Sequence, residues 1–548
     1  MPKELGHEGG TMDYPIEKRA LGSILEDRAQ RNPDKIFFHF EDAMFTYAET
    51  NKFSNQVANG YMSLGVKKGD RVTTMLPNCP EGVFNWFGLA KLGAVDSSIN
   101  TAFKGDLLKH VILISDTKVL LVHEDFLDRI IKIQDELTCV KKVVVFTQTG
   151  KKPKWEMKIP SITFEEFVNQ DPDFSSPDDV YYYDPLQIIF TSGTTGPSKG
   201  VVLSHNAMYL YSTDAMESLG LGENDVYFSC LPIFHINIRF FTIVPALLNE
   251  ATFAMVERFS ATKFWDQIRR YKATCFGLLG AMSTFVYKQP PRNDDKDNPA
   301  RFAWMGPVAV DLGKGFEERF DVKVSLGYFG MTEANWITSL NHKEVEVLKA
   351  RGKWEQAFGM GKENRDRYEV KLVDDLDQEV PIGQTGELVC RPTRAYSMMS
   401  EYVKMPDKTV EAFRNLWFHT GDIARKDEEG FFYFVDRKKD YIRRRGENVS
   451  SYEVESTVNA NPKVAESAAV GINTAEGEEE IVITICLKEG DSLSPQELYD
   501  WCDEKMAKFM IPKYMQLSDE IPKTATGRTQ KFKLRKSLDR GNLIEVYR

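Results

Sequence analysis

The sequence predicts an α/β protein assembled from more than one compact unit, and three observations lead there. Through residues 1–180, short apolar runs of strand length alternate with segments whose apolar residues recur every three or four positions. That alternation is the pattern of a largely parallel sheet covered by helices. At 548 residues the chain is too long for one ordinary domain, and length alone suggests about three units. No stretch repeats at a fixed period, which sets repeat architectures aside.

In chain order, Ile24 to Asn32 reads as a helix and Lys35 to Phe40 as a strand. Tyr47 to Leu64 is a second helix, and Arg71 to Leu76 a second strand. Between Glu81 and Leu92, the spacing of Val83, Trp86, Phe87 and Ala90 makes an amphipathic helix. Val119–Val122 and Val143–Phe146 are apolar runs of buried strand type, and Thr147 to Lys158 is a polar loop. Leu186, Ile188 and Ile189 form a further short strand. Phe264, Trp265, Ile268 and Tyr271 mark one face of a helix between Lys263 and Lys272. Gln289 to Arg301 is turn-rich and reads as exposed. Towards the end, Glu480–Ile485 is a strand, and Ser494-Pro495-Gln496-Glu497 is a capping box with proline at the first helical position. It opens a helix carrying Leu498, Trp501, Cys502, Met506 and Phe509, so the tail is a small α+β domain.

Composition narrows the function. Hydrophobic residues make up 42% and charged residues 28%, as in an ordinary globular protein. A net charge of −11 argues against non-specific nucleic-acid binding, which needs a basic surface. Residues Met1 to Gly22 mix charges without an apolar core, so no secretory signal is expected, and no apolar run approaches the roughly 18–20 residues of an integral membrane segment. Seven scattered cysteines without a C-x-x-C pair suggest neither zinc nor a disulfide framework and fit a reducing cytoplasm.

The chemistry concentrates after the strand at Leu186–Ile189. Phe190 to Gly200 reads FTSGTTGPSKG, with three glycines, five hydroxyl residues and a lysine. Glycines let the backbone approach a ligand closely, while N–H groups and hydroxyls can cradle phosphate oxygens beside the Lys199 charge. The spacing is not that of the Walker loop. Taken alone, such a string also fits a solvated surface loop. Cys230 to His235 ends an apolar segment on Pro-x-Phe-His, where a lone histidine more often packs or caps than reacts. Tyr328-Phe329-Gly330-Met331-Thr332-Glu333 offers a flat ring, a neutral donor and a hard oxygen ligand in one turn. Trp417 to Asp422 sets a carboxylate on a Thr-Gly turn, and Asp436 to Val449 is a dense run of charges. Gly386 to Arg391 reads as a strand with no role beyond scaffold.

Together these strings resemble, in order and along nearly the whole chain, the motifs of the adenylate-forming superfamily: acyl-CoA and aryl-CoA ligases, peptide-synthetase adenylation domains and beetle luciferases. The resemblance implies a large N-terminal domain, 1–436, of two doubly wound sheets plus a distorted β-barrel, and a small mobile α+β C-terminal domain, 437–548, hinged at Lys439. It implies ATP, Mg²⁺ and coenzyme A as cofactors and a small carboxylic acid as substrate. Thr191, Ser192, Gly193, Thr194, Thr195, Gly196 and Lys199 would hold phosphates. Tyr328, Phe329, Gly330, Met331 and Thr332 would hold adenine and the α-phosphate, with Glu333 and Thr195 on the metal. Asp422 would take the ribose, Arg437 would reach the nucleotide, and Arg443, Gly446 and Glu447 would lie by the pantetheine of coenzyme A. His235, Asn237, Arg239, Gly280, Trp304, Gly306 and Trp336 would line the acyl pocket.

One motif departs from the pattern. Most relatives place a catalytic lysine directly after the glycine of the last motif; here Gly527 is followed by Arg528, and Lys531 lies three residues on. Arginine keeps the charge but is longer, planar and forked. Either Arg528 substitutes, or Lys531 reaches in, or the first half-reaction is impaired; the first reading is adopted. Catalysis is therefore expected from Lys199, Thr332, Glu333 and Arg528, with Lys531 as the second cation.

Within the superfamily, Trp86–Lys91, Ser260–Trp265 and Gly446–Ser450 resemble crotonobetaine/carnitine–CoA ligases. The expected reaction is carboxylate plus ATP to acyl-adenylate and pyrophosphate, then transfer to coenzyme A. The substrate would be carnitine-like or a short-to-medium aliphatic acid. A trimethylammonium group calls for an aromatic cage or a carboxylate, and Phe276, Trp304, Tyr328 and Trp336 are candidate walls. Arg239, if it faced that pocket, would repel a cation. Loading of a carrier protein in trans, a luciferase-type oxygenase and an adenylation-impaired homologue are the alternatives.

Overall fold

The computed structural model describes residues 14–148, 156–191, 198–306, 308–325, 327–444, 447–473, 479–523, 529–538 and 540–547. They fall into two compact units: the larger takes the described residues of 14–191, 198–369 and 392–411, the smaller those of 370–391 and 412–547.

Two mostly parallel sheets organise the larger unit. The first runs Glu401–Tyr402, Lys199–Ser204, Pro185–Thr191, Val95–Ser98, Arg71–Met75, Val119–His123, Lys142–Phe146, Ser161–Thr163. Its last six strands are parallel, and the first two are added antiparallel. The second sheet runs Lys323–Ser325, Phe302–Gly306, Cys275–Leu279, Val226–Ser229, Thr252–Met255, Ile36–Phe40, Ala43–Thr46, parallel except for the last pair. The strand-like runs of residues 1–180 are thus shared between two sheets: Ile36–Phe40 pairs with Ala43–Thr46 on one side and with the distant Thr252–Met255 on the other, apart from the sheet of Arg71–Met75 and Val119–His123. Local periodicity cannot tell which sheet a strand will join.

Helix ends follow their local chemistry. Thr46 and Glu49 form a reciprocal capping box at the start of Tyr47–Ser63. Pro80 opens Pro80–Leu92, and Gly93 closes it in the left-handed region at φ 70°. Almost every side chain of Pro80–Leu92 is buried, so its three-four spacing marks a helix enclosed on all sides rather than a surface one.

In the smaller unit, Phe431–Arg437, Phe418–Lys426, Thr385–Pro392 and Tyr368–Val373 lie side by side. Among the described residues no sheet closes into a barrel, since each strand order has two edges. The expected distorted barrel is therefore replaced by open antiparallel strands. The tail is α+β: Val464–Asn473, Glu479–Leu487, Tyr514–Leu517 and Ile544–Glu545 form a sheet against Ser451–Asn459, Pro495–Lys505 and Lys531–Ser537. The Ser494–Glu497 capping box is present, but its helix ends at Lys505; Met506 is extended and Phe509 sits in a separate 3-10 turn. The Gln289–Arg301 segment is less exposed than its composition suggests. Asp295 and Asn298 are buried in it: Arg319 bonds Asp295 at 2.7 Å, and Asn298 donates to the Phe320 carbonyl at 2.9 Å. Among the described residues no helix is long and apolar enough to cross a membrane.

Candidate active site

In the larger unit, the strands Pro185–Thr191 and Lys199–Ser204 form an antiparallel hairpin with Thr191 opposite Lys199 and Phe190 opposite Gly200. The register brings the two ends of the Gly-rich stretch together. Ser192, Gly193, Thr194, Thr195 and Gly196 themselves lie outside the described residues. Gly200 is required by packing: a Cβ there would stand 2.6 Å from Val403 Cγ1 and 2.8 Å from Ile188 Cγ2.

Lys199 projects from the hairpin so that its ammonium lies 4.0 Å from the centre of the Tyr402 ring. The Tyr402 hydroxyl donates to Glu333 Oε1 at 3.0 Å. Glu333 is only 4% exposed, and its backbone carbonyl accepts from the Tyr211 hydroxyl and the Met399 N–H. Burial and the neighbouring carboxylate push the Tyr402 phenol well above its ordinary range, so it stays a donor. Sequence reasoning missed Tyr402. It sits on a two-residue strand paired with Val201, and nothing in its local string singles it out.

Tyr328–Phe329 pairs with Thr338–Ser339, and Tyr328 through Thr332 are half-buried. The chain turns back sharply: Met331 N–H donates to the Ala334 carbonyl at 2.7 Å, and Trp336 takes φ 55°, a left-handed conformation costly for so large a residue. The Trp336 indole N–H donates to the Tyr211 carbonyl at 2.9 Å. Tyr328 packs 4.3 Å from Trp336 and 6.0 Å from Trp304, and its hydroxyl donates to Asn335. Trp336 is buried, and the Arg367 guanidinium lies 5.9 Å from its ring. Phe276 is a core residue instead, packed among Phe264, Trp265 and Phe316, so the expected wall loses that member.

Parallel register brings other pocket candidates level. Trp304 lies beside Gly277 in the middle of their strands, and Gly306 lies beside Leu279 at the carboxyl ends; Gly280 then opens the helix Gly280–Tyr287. That end of such sheets is where ligands bind. His235 is half-buried, and its Nδ1 accepts from the Asn237 N–H at 3.2 Å, capping the turn Ile236–Ile238. Asn78 holds the preceding segment by donating to the Leu231 carbonyl and accepting from the Ile233 N–H.

Arg239 turns inward. Its guanidinium lies 2.7 Å from Asp96 and donates to Gln187, Ser98 and the Ile233 carbonyl, at 1% exposure. Its charge is neutralised inside the protein, and the expectation that it repels a cationic acyl group loses its basis.

The smaller unit positions Asp422 on the turn Thr420–Gly421–Asp422, with Gly421 at φ 72°. Thr420 Oγ1 accepts from the Asp422 N–H at 3.1 Å. Asp422 pairs in register with Arg437, whose Nε is 2.6 Å away. Glu387, read from sequence as scaffold, accepts from the Gly421 N–H at 3.2 Å and from Lys438 Nζ at 3.0 Å. Burial would raise its pKa, but the His419 and Lys438 contacts outweigh that and hold it at about 2. Lys439 is exposed, and its carbonyl accepts from Arg535 at 3.3 Å. Arg443 and Glu447 lie on the paired strands Ile442–Arg444 and Glu447–Val449, while Gly446 and Arg528 lie outside the described residues. Lys531, the second candidate cation, is engaged within the smaller unit: its Nζ lies 2.8 Å from Glu455 and donates to Ser451 at 2.5 Å.

The larger unit thus holds a hairpin whose lysine lies on the Tyr402 ring, with the Tyr402 hydroxyl on buried Glu333; the smaller unit, by itself, holds a buried aspartate on a Thr-Gly turn. The AMP-binding enzyme model matches residues 25–403, and the AMP-binding enzyme C-terminal domain model matches residues 453–528. The chain belongs to the AMP-binding enzyme family, as an AMP-forming acyl-CoA synthetase. The crotonobetaine/carnitine–CoA ligases of Salmonella paratyphi B and Salmonella typhimurium are each 31% identical to it over 536 residues, covering 94% of this chain and 98% of theirs. An anthranilate CoA ligase, AuaEII, crystallised with anthranoyl-AMP, superimposes with a TM-score of 0.83 at 26% identity, over 96% of this chain and 99% of that one. A fatty acyl CoA synthetase of Mycobacterium tuberculosis gives 0.71 at 25% identity, over 95% and 99%.

Proposed function

We propose that this enzyme joins a small carboxylic acid to coenzyme A in two steps on one site. The acid's carboxylate attacks the α-phosphorus of ATP, the bond to pyrophosphate breaks, and an acyl-adenylate forms. The thiol of coenzyme A then displaces AMP. The observation that carries the reading is the cluster of Lys199, Tyr402 and Glu333 at the mouth of the phosphate hairpin. Through one tyrosine it joins a point cation, 4.0 Å from the ring centre, to a hard oxygen ligand, 3.0 Å from the hydroxyl.

The cofactors are ATP, Mg²⁺ and coenzyme A, and the residues present fit them. Mg²⁺ is usually held by one or two carboxylates plus substrate phosphates, and buried Glu333 offers one such oxygen; Thr195 is the second proposed ligand. When bound, Mg²⁺ offsets the charge of the triphosphate. Lys199 stabilises the phosphoryl oxygens, Phe329 stacks on adenine, Thr332 bonds the α-phosphate, and Asp422 accepts from the ribose. Arg528 replaces the usual lysine beside the reacting carboxylate. The smaller domain, from 437 onward, turns about Lys439 between the half-reactions and carries the Arg443–Glu447 strands towards coenzyme A.

For the acid, the likeness to carnitine-type ligases favours a carnitine-like substrate, with short-to-medium aliphatic acids as the second class. Trp304 and Tyr328 supply aromatic wall, and the neutralised Arg239 no longer opposes a cation. Purified protein with Mg-ATP, coenzyme A and a panel of carnitine, crotonobetaine, γ-butyrobetaine, aliphatic and aryl acids tests this by mass spectrometry of AMP and acyl-CoA. AMP together with an acyl-CoA supports the ligase and identifies the acid. AMP with none of these acids overturns the reading.

A further inference from the structure

We propose that Tyr402 is a positioning residue that sets both Glu333 and Lys199 for the metal-bound triphosphate. The inference rests on the reading of Glu333 as a metal ligand. Tyr402 makes two contacts with opposite chemistry. Its hydroxyl donates to the Glu333 carboxylate at 3.0 Å, and its ring face receives the Lys199 ammonium at 4.0 Å. One oxygen of Glu333 is thereby fixed in direction, and the lysine is held against a neutral π surface.

The phenol is itself well anchored. Tyr402 is 3% exposed, its strand pairs with Val201 on the strand that begins at Lys199, and its N–H donates to Thr409 Oγ1 at 3.0 Å. The neighbouring residue is anchored too, since the Val403 N–H donates to the Gly200 carbonyl at 2.8 Å. Glu333 is equally constrained through its backbone carbonyl, held by Tyr211 and Met399. The backbone is thereby fixed, and burial together with the Tyr402 bond sets the direction of the carboxylate. A metal ligand aimed in this way gains affinity because less ordering remains when the ion binds. The phenol carries no charge in either role, so it orients both groups without neutralising either.

Two variants separate the contacts. Tyr402→Phe keeps the ring under Lys199 and removes the donor to Glu333; Tyr402→Leu removes both. Full-length protein is titrated with Mn²⁺ in the presence of ATP by electron paramagnetic resonance, and with ATP alone by calorimetry. Y402F is expected to weaken Mn²⁺ about tenfold, the size of one hydrogen bond to a charged group, and to leave metal-free ATP affinity unchanged. Y402L is expected to weaken both, with Glu333→Gln as the reference for loss of the metal ligand. Wild-type Mn²⁺ affinity in folded Y402F, alongside a loss in E333Q, would overturn the inference and leave the reading of Glu333 standing. Wild-type affinity in E333Q as well would overturn that reading. Should Y402L fail to fold, as judged by its melting curve, Y402F alone decides.

Discussion

Arg437 and Asp422 occupy paired positions on adjacent antiparallel strands, with Nε 2.6 Å from Oδ1 and the aspartate almost wholly buried. A buried carboxylate held by a half-exposed arginine is prepared to receive hydroxyl donors without first being desolvated. If Asp422 accepts from the ribose, Asp422→Ala will raise the KM for ATP by about 10–100-fold, the effect of losing a charge-assisted hydrogen bond. Arg437→Lys will raise it less, since a lysine keeps the charge but loses the planar fork. Steady-state kinetics of pyrophosphate release against ATP concentration checks both, and an unchanged KM in Asp422→Ala would remove the ribose role.

Arg239 and Asp96 make a second prediction. Breaking a buried ion pair from one side leaves a charge stranded and costs about 3–5 kcal/mol. Asp96→Ala should therefore lower the melting temperature markedly, because Arg239 keeps only neutral partners in Gln187, Ser98 and the Ile233 carbonyl. The double variant Asp96→Ala with Arg239→Met should be more stable than Asp96→Ala alone. Selectivity between cationic and neutral acids, measured as a ratio of kcat/KM, should not change in Arg239→Gln. A shift in that ratio would return Arg239 to the acyl pocket.

These two pairs show what the sequence disclosed and what it withheld. Several strands and helices along residues 21–146 were legible because periodicity is local, and the capping box read at Ser494 forms as written; the one at Thr46, the strands Ala43–Thr46 and Val95–Ser98 and the helices Gly105–Ile114 and Glu124–Ile131 were not read. The hairpin around Thr191 and Lys199 was legible as a loop after a strand, since glycine and hydroxyl residues punctuate it. Contacts made over long separations were not legible. Tyr402 reaches Glu333 across 69 positions, and Arg239 reaches Ser98 across 141. A lone arginine or tyrosine carries no local mark of its partner. Sheet membership failed for the same reason, because Ile36–Phe40 looks like its neighbours yet pairs with a strand more than two hundred residues later. The missing barrel is different in kind: it was an inference from resemblance, and no periodicity of the chain called for it.

His205 predicts the acid limb of stability. It is buried, its Nδ1 accepts from the Leu21 N–H at 3.1 Å, and burial holds its pKa at about 4, with Lys68 adding to the effect and Asp184 opposing it. An unfolded histidine takes a proton near pH 6.5, whereas this one does not until about pH 4. Between those values the unfolded chain binds more protons, so stability falls as pH drops from 6.5 to 4 and is complete above 6.5. The whole window amounts to about 3 kcal/mol. Melting temperatures of wild type and His205→Asn should converge as pH falls from 7 to 4. Parallel curves would show that His205 takes its proton as readily in the folded protein as in the unfolded chain.

Lys531 gives the last prediction, which bears on the Arg528 departure. Its ammonium is engaged with Glu455 and Ser451 inside the smaller unit, while burial raises the Glu455 pKa and Lys531 opposes that rise. Removing the lysine leaves a buried carboxylate without its cation, a cost that falls on stability rather than on the reacting phosphate. Lys531→Met should therefore melt at a lower temperature yet keep its rate of pyrophosphate release with acid and ATP. Arg528→Ala should behave in the opposite way, losing about 10²–10³ in that rate, the usual consequence of deleting one preorganised donor, with its melting temperature unchanged. The two variants measured side by side assign the catalytic cation. A hundredfold loss in Lys531→Met at unchanged melting temperature would mean that Lys531 leaves Glu455 to reach the substrate, and that Arg528 does not replace the usual lysine.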